Sequence, residues 1–332
     1  MIILGIETSC DETSAAILED HIVLSNVVRT QTVHTAFGGV VPSLASKDHE
    51  RSIKDIVQKS INDAKILISD IDIIAVTYGS GLLGSLIVGL NFAKGLSIAL
   101  GIPLVGVSHL KGHLSSSFIN KNSFKYPNIS LIVSGGHTQL WLVKNNMDFD
   151  VIGNTVDDAA GEAFDKGARI LGLKYPGGPE IEKISKDGDP KKYFFTIPEV
   201  KTNRLNFSFS GLKTSLLYKK NDLDILGDYS IKDLAASYQH AIVETLISKL
   251  ERAIVKYKIY NISIVGGVSA NMYFRDYSTK IVKKYDLNLI FPEMDYCTDN
   301  AAMIAMAGFL KYTNNRNIND ITIEPNPNII YK

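Results

Sequence analysis

Hydrophobic and polar positions along the chain change period several times, and each change marks an element. Residues 2–6 form an apolar run ending at Glu7, 14–18 a second and 22–24 a third after the turn at Glu19 and Asp20. The chain is therefore predicted to open as an antiparallel meander, with a polar loop at 8–13 well placed to touch an anion. From 44 to 64 the apolar residues Ile53, Ile56, Val57 and Ile61 recur at helical spacing. A strand at 71–77, a helix rich in small residues at 86–100 and a strand at 103–107 follow. Strands alternating with helices predict an α/β fold.

The layout then restarts. Residues 128–133 read as a strand, 134–137 as a tight turn holding Gly135 and Gly136, and 138–143 as a second strand. This repeats the strand, polar turn, strand order of the N-terminus, and the two glycines give the backbone close access to a ligand. Two such units predict a duplicated architecture with a cleft between the halves. Ser230 and Asp233 form a predicted capping box for a helix reaching about Tyr257. A strand at 262–265 then runs into the turn 266–271, where Asn271 can hydrogen-bond a nucleotide or sugar.

Composition narrows the class. With 332 residues, 45% hydrophobic and 21% charged, the chain supports packed globular structure in two domains. Lys+Arg and Asp+Glu are both 35, so a nucleic acid would have to be met by a local patch. One candidate is 183–220, with nine Lys/Arg against three acids and with Tyr193, Phe194, Phe195, Phe207 and Phe209 interleaved. A solvated face with a few core aromatics reads the same way. Two cysteines without a CxxC, Cys10 and Cys297, argue for a reducing compartment and for ordinary buried thiols. The first residues show no targeting signal, and Ser85, Asn91, Lys94 and Ser97 interrupt the long apolar stretch 82–106. The expectation is a cytoplasmic protein with no membrane span.

The most informative pair is His109 and His113 in SHLKGH at 108–113. Their i,i+4 spacing puts two imidazoles on one helix face, the way a helix offers two nitrogens to a metal. Leu110 stands where a zinc-peptidase helix carries its glutamate base, so the ligand spacing is present without the protease chemistry. Two partly exposed helix histidines would give the same spacing.

Nine motifs in order then carry a resemblance: TSCDET at 8–13, GGVVP at 38–42, SHLKGH at 108–113, VSGGHTQ at 133–139, DDAAGEAFD at 157–165, YPGGP at 175–179, FSFSGLK at 207–213, GGVSAN at 266–271 and YCTDNA at 296–301. The chain resembles the bacterial tRNA threonylcarbamoyladenosine transferase family, formerly called O-sialoglycoprotein endopeptidase, within the actin-like ATPase and sugar-kinase superfamily. The resemblance implies a duplicated actin-like (ASKHA, ribonuclease H-like) two-domain α/β fold with a central nucleotide cleft. Residues 1–108 with about 299–332 would form one domain and 109–298 the other, the latter carrying an inserted basic helical segment at about 157–230.

The family transfers threonylcarbamoyl from threonylcarbamoyl-AMP to N6 of the adenosine next to the anticodon, in tRNAs reading codons that begin with A. Its metal ligands match His109, His113 and Asp299, implying one divalent metal per subunit, with Fe2+ favoured and zinc possible. Ile132, Val133, Ser134, Gly135, Gly136, Asp165, Gly178 and Asn271 match positions that hold the adenylate (or ATP/ADP), with Glu182 and His137 as secondary candidates. Asp11 and Glu12 are the candidates for handling the proton of the attacking amine. Implied partners are tRNA, a paralogous non-catalytic actin-like protein and a small P-loop ATPase.

Other readings of single residues stay open: Asp299 as a cap for a helix at 300–308, Asp165 as a solvated charge, Asp11 and Glu12 as turn formers. Ser43, Ser80, Ser108 and Lys111 depart from the family's usual residues and put loop geometry and partner surfaces in question. Rival functions are an ATP-dependent small-molecule kinase, the metallopeptidase of the older name and a nucleotide-gated scaffold.

Overall fold

In a computed structural model, which describes residues 1–120, 125–145, 148–227, 229–329 and 331, the elements follow the predicted alternation. They begin β1 (Ile2–Glu7), β2 (Glu12–Glu19), β3 (Ile22–Thr30), α1 (Pro42–Ala64), β4 (Ile73–Gly79), α2 (Leu83–Leu100), β5 (Leu104–Ser108) and α3 (His109–Ser115). Next come β6 (Asn128–Val133), β7 (Thr138–Val143), β8 (Phe149–Asn154), α4 (Ala160–Ile170), α5 (Gly177–Ser185), α6 (Ser210–Leu226) and α7 (Ile231–Tyr257). The described chain closes with β9 (Asn261–Val265), α8 (Met272–Tyr285), β10 (Asn288–Ile290) and α9 (Ala301–Asn314).

Two sheets share one topology. The first is ordered β3-β2-β1-β4-β5 and the second β8-β7-β6-β9-β10. In each, the first three strands in sequence pair antiparallel and the last two add parallel to the first. The repeated meander read from the sequence is thus a repeated five-stranded sheet.

The chain divides into two compact units, Met1–Phe124 with Pro292–Lys332, and Lys125–Phe291. The divisions fall later and earlier than the expected 108/109 and 298/299. The reason is packing: Gly112 of α3 lies against Met303 and Ile304 of α9, where a Cβ would meet Ile304 Cδ1 at 2.6 Å. The helix of the two histidines therefore belongs to the first unit.

In that unit the central strands are buried on both faces. Ile3, Ala75, Val105 and Val107 pack with Ala301, Ala302, Ile304 and Ala305 of α9. Leu4, Ile6, Ile74 and Val76 face Ile53, Val57 and Ile61 of α1 and Leu90 and Ala93 of α2. Small residues let α9 approach the sheet closely: a Cβ on Gly5 would sit 2.3 Å from the Ala301 carbonyl oxygen. Among the described residues α2 is the one helix long and apolar enough to cross a membrane, and a third of it is buried.

In the second unit the core joins the sheet to α4 through α8. Ser230 caps α7 by accepting from the Asp233 N–H at 3.3 Å. The reciprocal half of the predicted box is not made, because Asp233 Oδ1 accepts from the Asp189 N–H at 2.8 Å instead. The basic run is also corrected in part. Phe195, Phe207 and Phe209 are core residues and Lys213 is paired with Asp158; of the named rings this leaves Tyr193, half-buried, and Phe194, 80% exposed beside Lys191 and Lys192.

Candidate functional site

β5 ends at Ser108 and α3 begins at once, so His109 and His113 emerge from a buried strand on one helix face. Their ring centroids are 4.6 Å apart and the rings nearly perpendicular, at 80°. Asp299 comes from the loop before α9, with Oδ1 3.1 Å from Nε2 of His113 and 3.5 Å from Nε2 of His109. The capping duty left open for Asp299 falls to Asn300, whose Oδ1 accepts from the Met303 N–H at 3.0 Å. The carboxylate of Asp299 is thereby left to face the imidazoles.

One ligand atom from each of the three residues lies within 4.8 Å of the others. His113 is wholly buried, and among the described residues neither ring nitrogen has a hydrogen-bond partner. Leaving a buried polar group unsatisfied costs about 1–3 kcal/mol. Two nitrogens and a carboxylate oxygen converging on one point, one of them orphaned, fit a divalent transition metal.

The surrounding charge agrees. Glu7, Asp11 and Glu12 interact electrostatically with one another, with Asp299 or with both. Burial, then the charges of Asp299 and Asp11, push the Glu12 carboxyl up to about 10, so it holds a proton at neutral pH. Burial opposes charging His109, but the carboxylates of Asp299 and Glu7 outweigh it and raise the imidazole to about 9, so a metal binding at Nε2 has to displace the proton that faces Asp299. Burial, with Asp11 and Asp299 nearby, raises the Cys10 thiol far above its ordinary value, in keeping with a plain thiol; it is only half-buried, whereas Cys297 is buried.

Sequence reasoning missed the residues that hold this site. Glu7 Oε1 accepts from the Ser9 N–H and Oε2 from the Thr77 hydroxyl, at 2.5 and 2.6 Å. His49, buried on α1, meets the Thr13 hydroxyl at Nδ1 (2.8 Å) and the Cys10 carbonyl at Nε2 (2.9 Å), pinning the loop that carries Asp11 and Glu12. One signal was legible: Glu7 closes an otherwise apolar buried strand.

In the second unit the glycine turns come together. Ser134 N–H donates to the His137 carbonyl at 2.8 Å, and the Ser134 carbonyl accepts from the Gly161 N–H at the start of α4. A Cβ on Gly266 (φ +95°) would stand 2.4 Å from the Val133 carbonyl oxygen, so the 266–271 turn abuts the end of β6. Gly135 and Gly136 are exposed with open space at the Cβ position. Ile132 and Val133 have fully buried side chains, leaving only backbone atoms for any ligand.

Asp165 is no solvated charge. Its carboxylate accepts from the N–H groups of Gly177 and Gly178 and so fixes the start of α5. Asn271 caps α8 through Phe274 N–H and donates to Gln239 Oε1, both at 2.8 Å. Glu182 accepts from the Met272 N–H at 2.9 Å, tying α5 to the same cap. His137 is half-buried in the turn.

Comparison with known proteins decides the family. The TsaD profile, tRNA N6-adenosine threonylcarbamoyltransferase, matches residues 22–306. The chain belongs to this family. It is 50% identical to the tRNA N6-adenosine threonylcarbamoyltransferase of Thermosipho africanus and 47% to that of Thermosipho melanesiensis, over 99% of each chain. The Phocaeicola vulgatus enzyme is 45% identical over 95% of each. Solved structures share the actin-like fold at low identity. HypF of T. kodakarensis has a TM-score of 0.63 at 14% identity, covering 94% of this chain and 48% of that one. Component A of the Acidaminococcus fermentans (R)-2-hydroxyglutaryl-CoA dehydratase has 0.55 at 16%, covering 94% and 99%.

As a threonylcarbamoyltransferase the chain is an enzyme whose family substrate is tRNA. None of the four positions read from the sequence as departures is a candidate ligand. Ser43 is exposed at the start of α1, and Ser80 is buried with a hydroxyl that has no hydrogen-bond partner among the described residues. Ser108 meets the Tyr331 hydroxyl, which ties the C-terminal tail to the end of β5. Lys111 is half-buried on α3.

Proposed function

We propose that this threonylcarbamoyltransferase takes its acyl group from threonylcarbamoyl-AMP and modifies the adenosine next to the anticodon in tRNAs reading codons that begin with A. One divalent metal is held by His109, His113 and Asp299. What supports it is the buried His113 imidazole, which faces Asp299 without a hydrogen bond among the described residues. The two-histidine, one-carboxylate donor set suits iron and zinc alike; iron is the metal the family resemblance favours.

When bound, the metal supplies Lewis acidity toward the acyl carbonyl. The chain's own residues bind and move protons. The exocyclic amine of adenosine is a poor nucleophile and must lose a proton as it attacks; Asp11 and Glu12 beside it are the pair that manages that proton. In the second unit Gly135 and Gly136 offer open backbone to the phosphoryl oxygens, and Gly178, Glu182 and Asn271 take the rest of the adenylate, on positions fixed by Asp165 and by the α8 cap. Ile132 and Val133 contribute through the backbone, and His137 closes the glycine turn.

The peptidase reading fails on Leu110, which is 1% exposed: the position of a peptidase base is filled by a core side chain. Keeping water unactivated suits transfer to an amine. Leu83, Ile87 and Ile98 stand 40–71% exposed along α2, an apolar stripe that supports docking of the paralogous partner, with the P-loop ATPase completing the assembly in the cytoplasm. Exposed Phe194 among lysines supports contact with tRNA.

Metal content separates this reading from a kinase. The purified chain is expected to retain one iron or zinc through gel filtration. Retention of nothing beyond exchangeable magnesium would favour the kinase.

A further inference from the structure

Glu7 sits at the end of β1 with 1% of its surface exposed, and every contact of its carboxylate is made inside the first unit. Oε1 is occupied by the Ser9 N–H and Oε2 by the Thr77 hydroxyl of β4. Oε2 also lies 3.3 Å from Nδ1 of His109, and the Ser9 hydroxyl lies 3.1 Å from the same nitrogen. The other ring nitrogen, Nε2, faces Asp299.

An ionised carboxylate only accepts hydrogen bonds, so the nitrogen it faces must carry the proton. We infer that Glu7 is the positioning residue of the metal centre: it holds His109 as the Nδ1–H tautomer and so presents the Nε2 lone pair beside Asp299 and His113. The inference rests on the metal reading above and extends it to a residue that does not touch the metal. Two hydrogen-bond donors on different elements keep Glu7 from rotating, so the direction of the imidazole is set by β1, β4 and the 8–13 loop together. A carboxylate behind a ligating histidine fixes its orientation and raises its basicity, and losing such a partner typically costs 10–100-fold in metal affinity.

Glu7→Gln keeps the shape but brings an amide that can donate to Nδ1, which would move the ring proton to Nε2 and block the ligand. The test is a chelator-competition titration with Zn2+ on wild type and Glu7→Gln, together with 15N NMR of the histidine rings in the zinc-loaded wild type. The expected results are affinity weakened about 10–100-fold in Glu7→Gln, and a His109 signal protonated at Nδ1 and metal-bound at Nε2. Equal affinity in the two proteins, or a zinc-loaded His109 bound through Nδ1, overturns the inference while leaving the metal reading standing. Failure of wild type to bind zinc or iron overturns both. If Glu7→Gln does not fold, the wild-type NMR assignment alone decides.

Discussion

Nε2 of His113 lies 3.1 Å from Oδ1 of Asp299, yet among the described residues neither nitrogen of this wholly buried ring has a hydrogen-bond partner. Such a pair is poised for a cation. Adding Fe2+ anaerobically, or Zn2+, at about 100 times its Kd is expected to stabilise the chain by about 2.7 kcal/mol, read as a rise in Tm of a few degrees. Asp299→Ala and His113→Ala should show no such rise. An equal rise in all three proteins would place the metal elsewhere.

His49 links α1 to the loop that carries Asp11 and Glu12 through the Thr13 hydroxyl and the Cys10 carbonyl. Burial keeps this imidazole below its ordinary pKa, so it stays neutral and can serve both partners. His49→Leu strands those two groups, and is expected to cost about 1–3 kcal/mol of stability. It should lower kcat of transfer more than it raises KM for tRNA. A thermal melt with steady-state kinetics checks both; an unchanged Tm contradicts the assignment.

Gly161 opens α4 directly under the glycine turn: a Cβ there would lie 2.6 Å from the Ser134 carbonyl oxygen and 2.8 Å from Gly135 Cα. Gly161→Ala must push that turn outward. Affinity for the adenylate, measured by calorimetry with a non-hydrolysable analogue, should fall about tenfold or more (1.4 kcal/mol per decade). Metal uptake should be unchanged, because its ligands belong to the other unit. Unaltered adenylate affinity would remove the Ser134–Gly136 turn from the binding site.

Glu199 pairs with the wholly buried Lys249 at 3.2 Å and with Arg252 at 2.6 Å. Its hydrogen bond from Arg252, against a small burial penalty and with help from Lys249, lowers the carboxyl to about 2. A folded pKa below the unfolded one contributes stability that is complete above about pH 4.3 and is lost as pH falls toward 2. Glu199→Gln should therefore lower Tm at pH 7 and flatten the acid limb of the stability profile between those values. Parallel acid limbs for the two proteins would contradict this.

Much of this was legible in the chain. The two meanders, the helix of His109 and His113 and the glycine turns follow from period and spacing, and the repeated sheet order confirms the duplication. Hidden were the features set by tertiary packing. That α3 belongs with α9 depends on Gly112 fitting against Met303 and Ile304, which no periodicity announces. Asp299 and Asn300 are adjacent and both can cap a helix; only the fold assigns the cap to one and the imidazoles to the other. Phe195, Phe207 and Phe209 looked like stacking rings because burial cannot be read from a run of mixed lysines and aromatics.

The central claim is that the His109, His113 and Asp299 centre serves transfer from threonylcarbamoyl-AMP to tRNA. Its most direct test is the yield of threonylcarbamoyladenosine in unmodified tRNA, incubated with threonylcarbamoyl-AMP, Fe2+, the two proposed partner proteins and either wild type or Asp299→Ala. Wild type should modify only tRNAs that read codons beginning with A, with the variant down by about 100-fold or more, the scale of a lost ligand or its support. Equal product from both proteins would contradict the account.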